Sequence, residues 1–135
     1  MVSVLEISRS LLERIEQAAR DADPNECCGL LLGQGQQVHE IAPARNVAED
    51  PTRRFEIDPA ALIAAYRNSR QGGPEVMGHY HSHPTGPAMP SKCDADMAIA
   101  DGGIWLILGQ DGVTAWRTGD GGLHGRFTAI DLRIG

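Results

Sequence analysis

The sequence predicts an α/β fold in which a mixed, mostly antiparallel sheet is flanked by about three helices. Three observations carry that expectation. Two stretches show helical apolar spacing between caps and breakers, a third helix start is marked by a Ser and an Asp three residues apart, and several short apolar runs are separated by Gly-containing turns.

In chain order, Val2 to Ile7 reads as a short strand. Ser10-Leu11-Leu12-Glu13 has the form of a capping box, opening a helix whose Leu11, Leu12, Ile15, Ala18 and Ala19 share one stripe, and Asp23-Pro24 closes it. Cys28 to Gly33 and Gln37 to Ala42 are strands joined at the Gln34-Gly35-Gln36 turn. Asp58-Pro59 starts a second helix with Leu62, Ile63 and Tyr66 facing inward, and Gly72-Gly73-Pro74 stops it. A strand follows from Glu75 to His83, and then Ser91-x-x-Asp94 starts a third helix. Ile104 to Gly109 and Val113 to Thr118 flank the Gln110-Asp111-Gly112 turn, and Leu123 to Leu132 forms the last strand.

Composition fits one domain over residues 1–135. A chain of 135 residues with 41 % hydrophobic residues buries about two-thirds of its unfolded surface, and with two each of Phe, Tyr and Trp its core is mainly aliphatic. The net charge of −6, with no basic cluster beyond Arg53-Arg54, argues against nucleic acid as a partner. Three cysteines form no disulfide framework and fit a reducing compartment. The N-terminal residues lack a basic region followed by an apolar core, and no run approaches the length of a membrane span, so the expectation is a cytoplasmic protein without membrane contact.

The most informative stretch is Gly78-His79-Tyr80-His81-Ser82-His83-Pro84, with Ser91-Lys92-Cys93-Asp94 after it. Side chains alternate along a strand, so His81 and His83 face the same side and can chelate one ion. Asp94 adds an anionic oxygen, which completes two imidazoles and a carboxylate, the donor set of a catalytic zinc site with a fourth position left for water. His79 shares the alternation, but three successive same-face positions extend over about 13 Å, so it is assigned beside the site and not to the ion. His39 and His124 have no matching partners and receive no role; Cys27 and Cys28 read as packed core, and Cys93 as non-ligating. A nearby carboxylate is required to move a proton, and Glu26, Glu40, Glu56 and Glu75 all remain open on spacing alone.

The order His81-Ser82-His83-Pro84, a short loop, then Ser91-x-x-Asp94 resembles the JAMM motif of MPN-domain metalloproteases. Pro24-Asn25-Glu26-Cys27-Cys28-Gly29-Leu30-Leu31-Leu32-Gly33 is similar to the segment carrying that family's glutamate, and Asn46-Val47 through Phe55-Glu56-Ile57-Asp58-Pro59 resembles the small prokaryotic members. The resemblance covers nearly the whole chain. It implies the MPN fold, zinc held by His81, His83 and Asp94, Glu26 as general base, and Ser91 as donor to the charge that develops on a carbonyl oxygen. It also implies a peptidase or isopeptidase that cuts after the C-terminal Gly-Gly of a ubiquitin-like sulfur-carrier protein. Two alternatives stand beside it: a non-catalytic scaffold of the same fold, and a metallopeptidase acting on a different peptide. The loop from Thr85 to Pro90 is a candidate wall for a substrate cleft, while substrate-binding residues stay unassigned.

Overall fold

The structure, a computed structural model, describes residues 2–135. Its elements run β1 (Val4–Ile7), α1 (Arg9–Ala22), β2 (Cys28–Gln34), β3 (Gln37–Ala44), α2 (Pro59–Arg70), β4 (Glu75–Ser82), α3 (Lys92–Met97), β5 (Ile104–Gly109), β6 (Gly112–Leu123) and β7 (Phe127–Ile134). The strands form one mixed sheet in the order β1-β3-β2-β4-β5-β6-β7, and β1 also pairs with β7, so the sheet closes on itself. β1 runs parallel to both of its neighbours and β4 is parallel to β5; every other pairing is antiparallel. The expected mixed sheet with three helices is present. Its closure was not legible from alternation, which shows the face a residue takes but not which strand lies beside it.

Alternation along β4 and β5 divides the core in two. Ile104, Leu106, Leu108 and Tyr80 pack with Leu5, Ile7, Ile15, Leu31 and Val38 on the side covered by α1. Trp105 and Ile107 point the other way, towards Cys28, Phe55 and Phe127, the side that also receives the His79 and His81 rings. Full burial of each large aliphatic side chain contributes about 1.5–3 kcal/mol, so the first cluster supplies most of the sheet's hold on α1.

Three local expectations differ from what forms. The first helix is capped by Ser8, whose hydroxyl accepts from Leu11 N–H at 3.2 Å, and Ser10 lies within the first turn. The start moves forward because Arg9 N–H donates to the Gly135 carbonyl, a link to the far end of the chain that a local capping pattern cannot contain. Ile63 and Tyr66 do not face inward: they are 57 % and 50 % exposed, and Tyr66 borders an open groove of about 410 Å³ beside α2. Leu123 ends β6 and does not begin the last strand, since an irregularity after Thr118 lengthens β6 before the turn at His124 and Gly125.

The register that delivers His81 depends on close backbone approach. Gly78 lies opposite Ile104 in the parallel β4–β5 pair, and a Cβ at position 78 would overlap the Ile104 backbone. Gly78→Ala is therefore expected to destabilise the protein by about 1–3 kcal/mol through forced strand separation, read as a lower urea midpoint with an unchanged slope.

Candidate metal centre and cleft

β4 ends at Ser82, and both ends of the His-x-His segment are tied to neighbouring elements. Ser82 N–H donates to the Cys27 carbonyl, Cys27 N–H donates to Ser82 Oγ at 2.8 Å, and His83 N–H donates to the Leu108 carbonyl. This lattice fixes Glu26, just before β2, beside the two histidines. Glu26 is held further by its own N–H donating to the Pro51 carbonyl, and its carbonyl accepts from the Asn46 amide at 3.0 Å.

The structure brings His81, His83 and Asp94 to one point. His81 Nε2 and His83 Nε2 are 3.1 Å apart, and Asp94 Oδ2 lies 3.4 Å from the first and 3.1 Å from the second. Asp94 is fixed by a capping box at the start of α3: Ser91 N–H donates to Asp94 Oδ2 at 2.9 Å, and Asp94 N–H donates to Ser91 Oγ at 3.0 Å. The Ser91 hydroxyl keeps its own proton free to donate. Ligand atoms of Glu26, His81 and His83 all lie within 4.8 Å of one another.

A metal ion fits these residues on the chemistry of the donors. His83 Nδ1 is 2.9 Å from the Pro87 carbonyl, which can only accept, so the ring proton is on Nδ1 and the Nε2 lone pair faces His81 and Asp94. With His83 neutral, its Nε2 lone pair, His81 Nε2 and an Asp94 carboxylate oxygen converge within 3.4 Å, a point filled either by ring protons shared with Asp94 or by a cation that takes their place. Donors about 2.0–2.1 Å from a shared tetrahedral centre would be about 3.3 Å apart, close to the spacing observed. One Glu26 carboxylate oxygen is buried and has no partner, which marks a further unmet need in the same place.

The electrostatics follow from burial and these contacts. Burial lowers the His81 pKa despite the Asp94 carboxylate beside it. Burial also acts to lower His83, but Asp94, the Pro87 carbonyl and Glu26 outweigh it and leave that imidazole raised. Asp94 is pushed up by burial, yet donation from both imidazoles and the Ser91 amide holds it well below the usual carboxylate range. Burial, with a small addition from Asp94, pushes Glu26 up to about 7 against the pull of His83.

Other residues fall where expected or reveal roles that the sequence did not signal. His79 stands beside the cluster, its ring against Trp105 with centroids 4.2 Å apart, and its buried Nε2 has no partner. Phe55 stacks on His81 with centroids 4.2 Å apart and 20° between planes, a contact only the fold can make across the intervening 25 residues. Asn46 joins Glu26, Arg54 and the Glu56 amide, and a lone Asn in a loop carries no sequence signal for this. A groove of about 320 Å³ runs between Glu26, Thr52 and Arg53 on one side and the loop from His83 to Ser91 on the other. Among the described residues no helix is long and apolar enough to cross a membrane.

The family model for prokaryotic homologs of the JAB domain matches residues 8–119. The chain belongs to this family. It is 34 % identical over 105 residues to a desampylase of Haloferax volcanii, covering 76 % of each chain. It is also 34 % identical over 122 residues to a probable TtuB-protein conjugate cleaving protease of Thermus thermophilus, covering 87 % of this chain and 78 % of that one. The solution structure of protein DSY2949 from Desulfitobacterium hafniense superposes with a TM-score of 0.82 at 26 % identity over 97 % of this chain and 92 % of that one. The fold is therefore the JAB/MPN fold, and this family member is a hydrolase.

Glu26 gives a stability prediction for protein stripped of metal by a chelator. Its folded pKa, about 7, exceeds the unfolded value of 4.5, so the stability it contributes is full below pH 4.5 and is lost as pH rises through about 7. Glu26→Gln should be the more stable protein at pH 8, by roughly 3 kcal/mol, with the difference vanishing near pH 4 in urea titrations.

Proposed function

We propose that this protein is a zinc-dependent peptidase or isopeptidase that cuts after the C-terminal Gly-Gly of a ubiquitin-like, sulfur-carrier type protein, in the cytoplasm. The observation that carries this reading is the convergence of the His81, His83 and Asp94 donors beside a raised carboxyl at Glu26, at the head of an open groove. The two relatives named for desampylation and for cleaving TtuB-protein conjugates support a protein conjugate as substrate. Three free cysteines accord with a reducing compartment.

In this reading His81, His83 and Asp94 hold the ion. Bound zinc polarises a carbonyl and lowers the pKa of water towards about 7. Glu26 takes the proton from the attacking water and returns it to the departing amine, a transfer favoured by a carboxyl whose pKa is near neutrality. The Ser91 hydroxyl, held by Asp94 N–H as an acceptor, donates its free proton towards the carbonyl oxygen as charge builds there. Asp94 stays ionised, as a ligand must, and the Pro87 carbonyl keeps the His83 imidazole oriented.

The groove accounts for a glycine tail. Its wall from Pro84 to Ser91 carries three prolines and is tied down by hydrogen bonds from Gln110 to Pro84 and Gly86, so this side of the open groove is held in place. An extended segment without side chains passes such a wall where larger residues clash.

Metal content by elemental mass spectrometry should give about one zinc per wild-type chain and a large loss in Asp94→Ala. Glu26→Gln should retain zinc and lose at least about 100-fold in turnover of a carrier conjugate. Negligible zinc in wild type, even after zinc is added, would overturn the peptidase reading in favour of a scaffold. If a carrier ending in Ala-Ala is cut as fast as one ending in Gly-Gly, the enzyme is a peptidase of broader substrate range.

A further inference from the structure

The turn between β5 and β6 carries a contact that no local motif requires. Asp111 Oδ1 accepts the Ala88 N–H at 2.7 Å, and the carbonyl of that same peptide group, Pro87 O, accepts the His83 Nδ1–H at 2.9 Å. One peptide unit thus links a carboxylate to the imidazole whose other nitrogen faces His81 and Asp94. The peptide is pressed against Gly109, where a Cβ would overlap Pro87 C and Ala88 N. Thr114 Oγ1–H donates to the Ala88 carbonyl, and Thr114 is itself held by Trp116 Nε1–H at 2.8 Å. Ala88 is buried, so loss of Asp111 would leave its N–H in need of a new acceptor.

We propose that Asp111 is a positioning residue for the metal centre, acting through the Pro87–Ala88 peptide to fix the tautomer and plane of the His83 imidazole. The proposal rests on the reading of His83 as a ligand. Its physical basis is that a metal-binding histidine gains direction and donor strength from whatever accepts its second ring proton. Here that acceptor is a peptide carbonyl, and a carboxylate on the N–H of a peptide polarises its carbonyl, so hydrogen bonds in series strengthen one another. Gly109 lets the peptide lie close enough to β5 for both bonds to form. Asp111 touches neither ion nor substrate.

The test compares wild type, Asp111→Ala, Asp111→Asn and Asp120→Ala, the last a carboxylate removed from an exposed position on β6. Two readouts are taken: zinc affinity by competition with a chromophoric chelator, and the His83 ring nitrogen resonances of metal-free protein at pH 8. The expected result for Asp111→Ala is zinc affinity lower by about tenfold and His83 resonances shifted from the Nδ1–H tautomer towards a mixture. Asp111→Asn, which keeps an acceptor oxygen, should recover most of the loss, and Asp120→Ala should match wild type. Asp111→Ala with wild-type affinity and unmoved resonances overturns the proposal, as does a loss of equal size in Asp120→Ala. Should Asp111→Ala fail to fold, Asp111→Asn alone decides, its His83 resonances and affinity expected between wild type and a tenfold loss, and identical values overturning the proposal. Failure of wild type to bind zinc is a separate outcome that overturns the peptidase reading, while the metal-free resonances still report on the hydrogen-bond chain.

Discussion

Two imidazole nitrogens and a carboxylate oxygen within 3.4 Å of one another are the constraint on which the site depends. In water such a cluster would relax by rotating its side chains apart. Here it cannot, because each donor is held by a separate element: His81 by β4 and the Phe55 ring, His83 by the Leu108 and Pro87 carbonyls, and Asp94 by the start of α3. The two carboxylates are displaced in opposite directions for separate reasons: burial pushes Glu26 up, whereas donation from the imidazoles and the Ser91 amide holds Asp94 down. Positive charge at the centre would favour the ionised form of Glu26 against its burial and suits the ionised Asp94, which is why a cation and this arrangement match.

The parts of the site legible in sequence are those that geometry makes local. His81 and His83 share a face because a strand alternates, and Ser91 with Asp94 forms a capping box because helix starts leave N–H groups unpaired. Glu26 was legible only through likeness to a family, since nothing in its own neighbourhood separates it from Glu40, Glu56 or Glu75; it is the β2–β4 pairing that brings it near. Phe55, Asn46 and Asp111 were not legible as site residues. Each reaches the site through contacts across long sequence separations, and their residue types are ordinary for a loop, a turn or a core.

The fold shows the same division between local and distant information. Strand positions, the Asp58 cap and the Gly72 to Pro74 stop follow from short-range chemistry and occur as expected. What local chemistry missed was decided by long-range pairing: the Arg9 to Gly135 bond that moves the start of α1, the extension of β6 to Leu123, and the return of β1 to β7. The inward assignment of Ile63 and Tyr66 failed for a different reason. An amphipathic pattern shows which residues would profit from cover, but it does not guarantee that the sheet beneath them is full.

Rigidity of the site begins at the paired ends of β4 and β5. Five register pairs between β4 and β5 and the bond from His83 N–H to the Leu108 carbonyl hold the ends of these strands in fixed relation while the loop from Pro84 to Pro90 spans the gap to Ser91. That loop has no regular structure of its own, yet both ends are fastened: Gln110 and Asp111 hold Pro84, Gly86 and Ala88, and His124 Nε2 lies 3.1 Å from the Pro90 carbonyl. A loop tied at so many points has little conformational entropy left to lose, because its ordering was completed on folding. The small protein therefore achieves with hairpin turns what a larger one could achieve with inserted segments, a preformed wall beside the ligands.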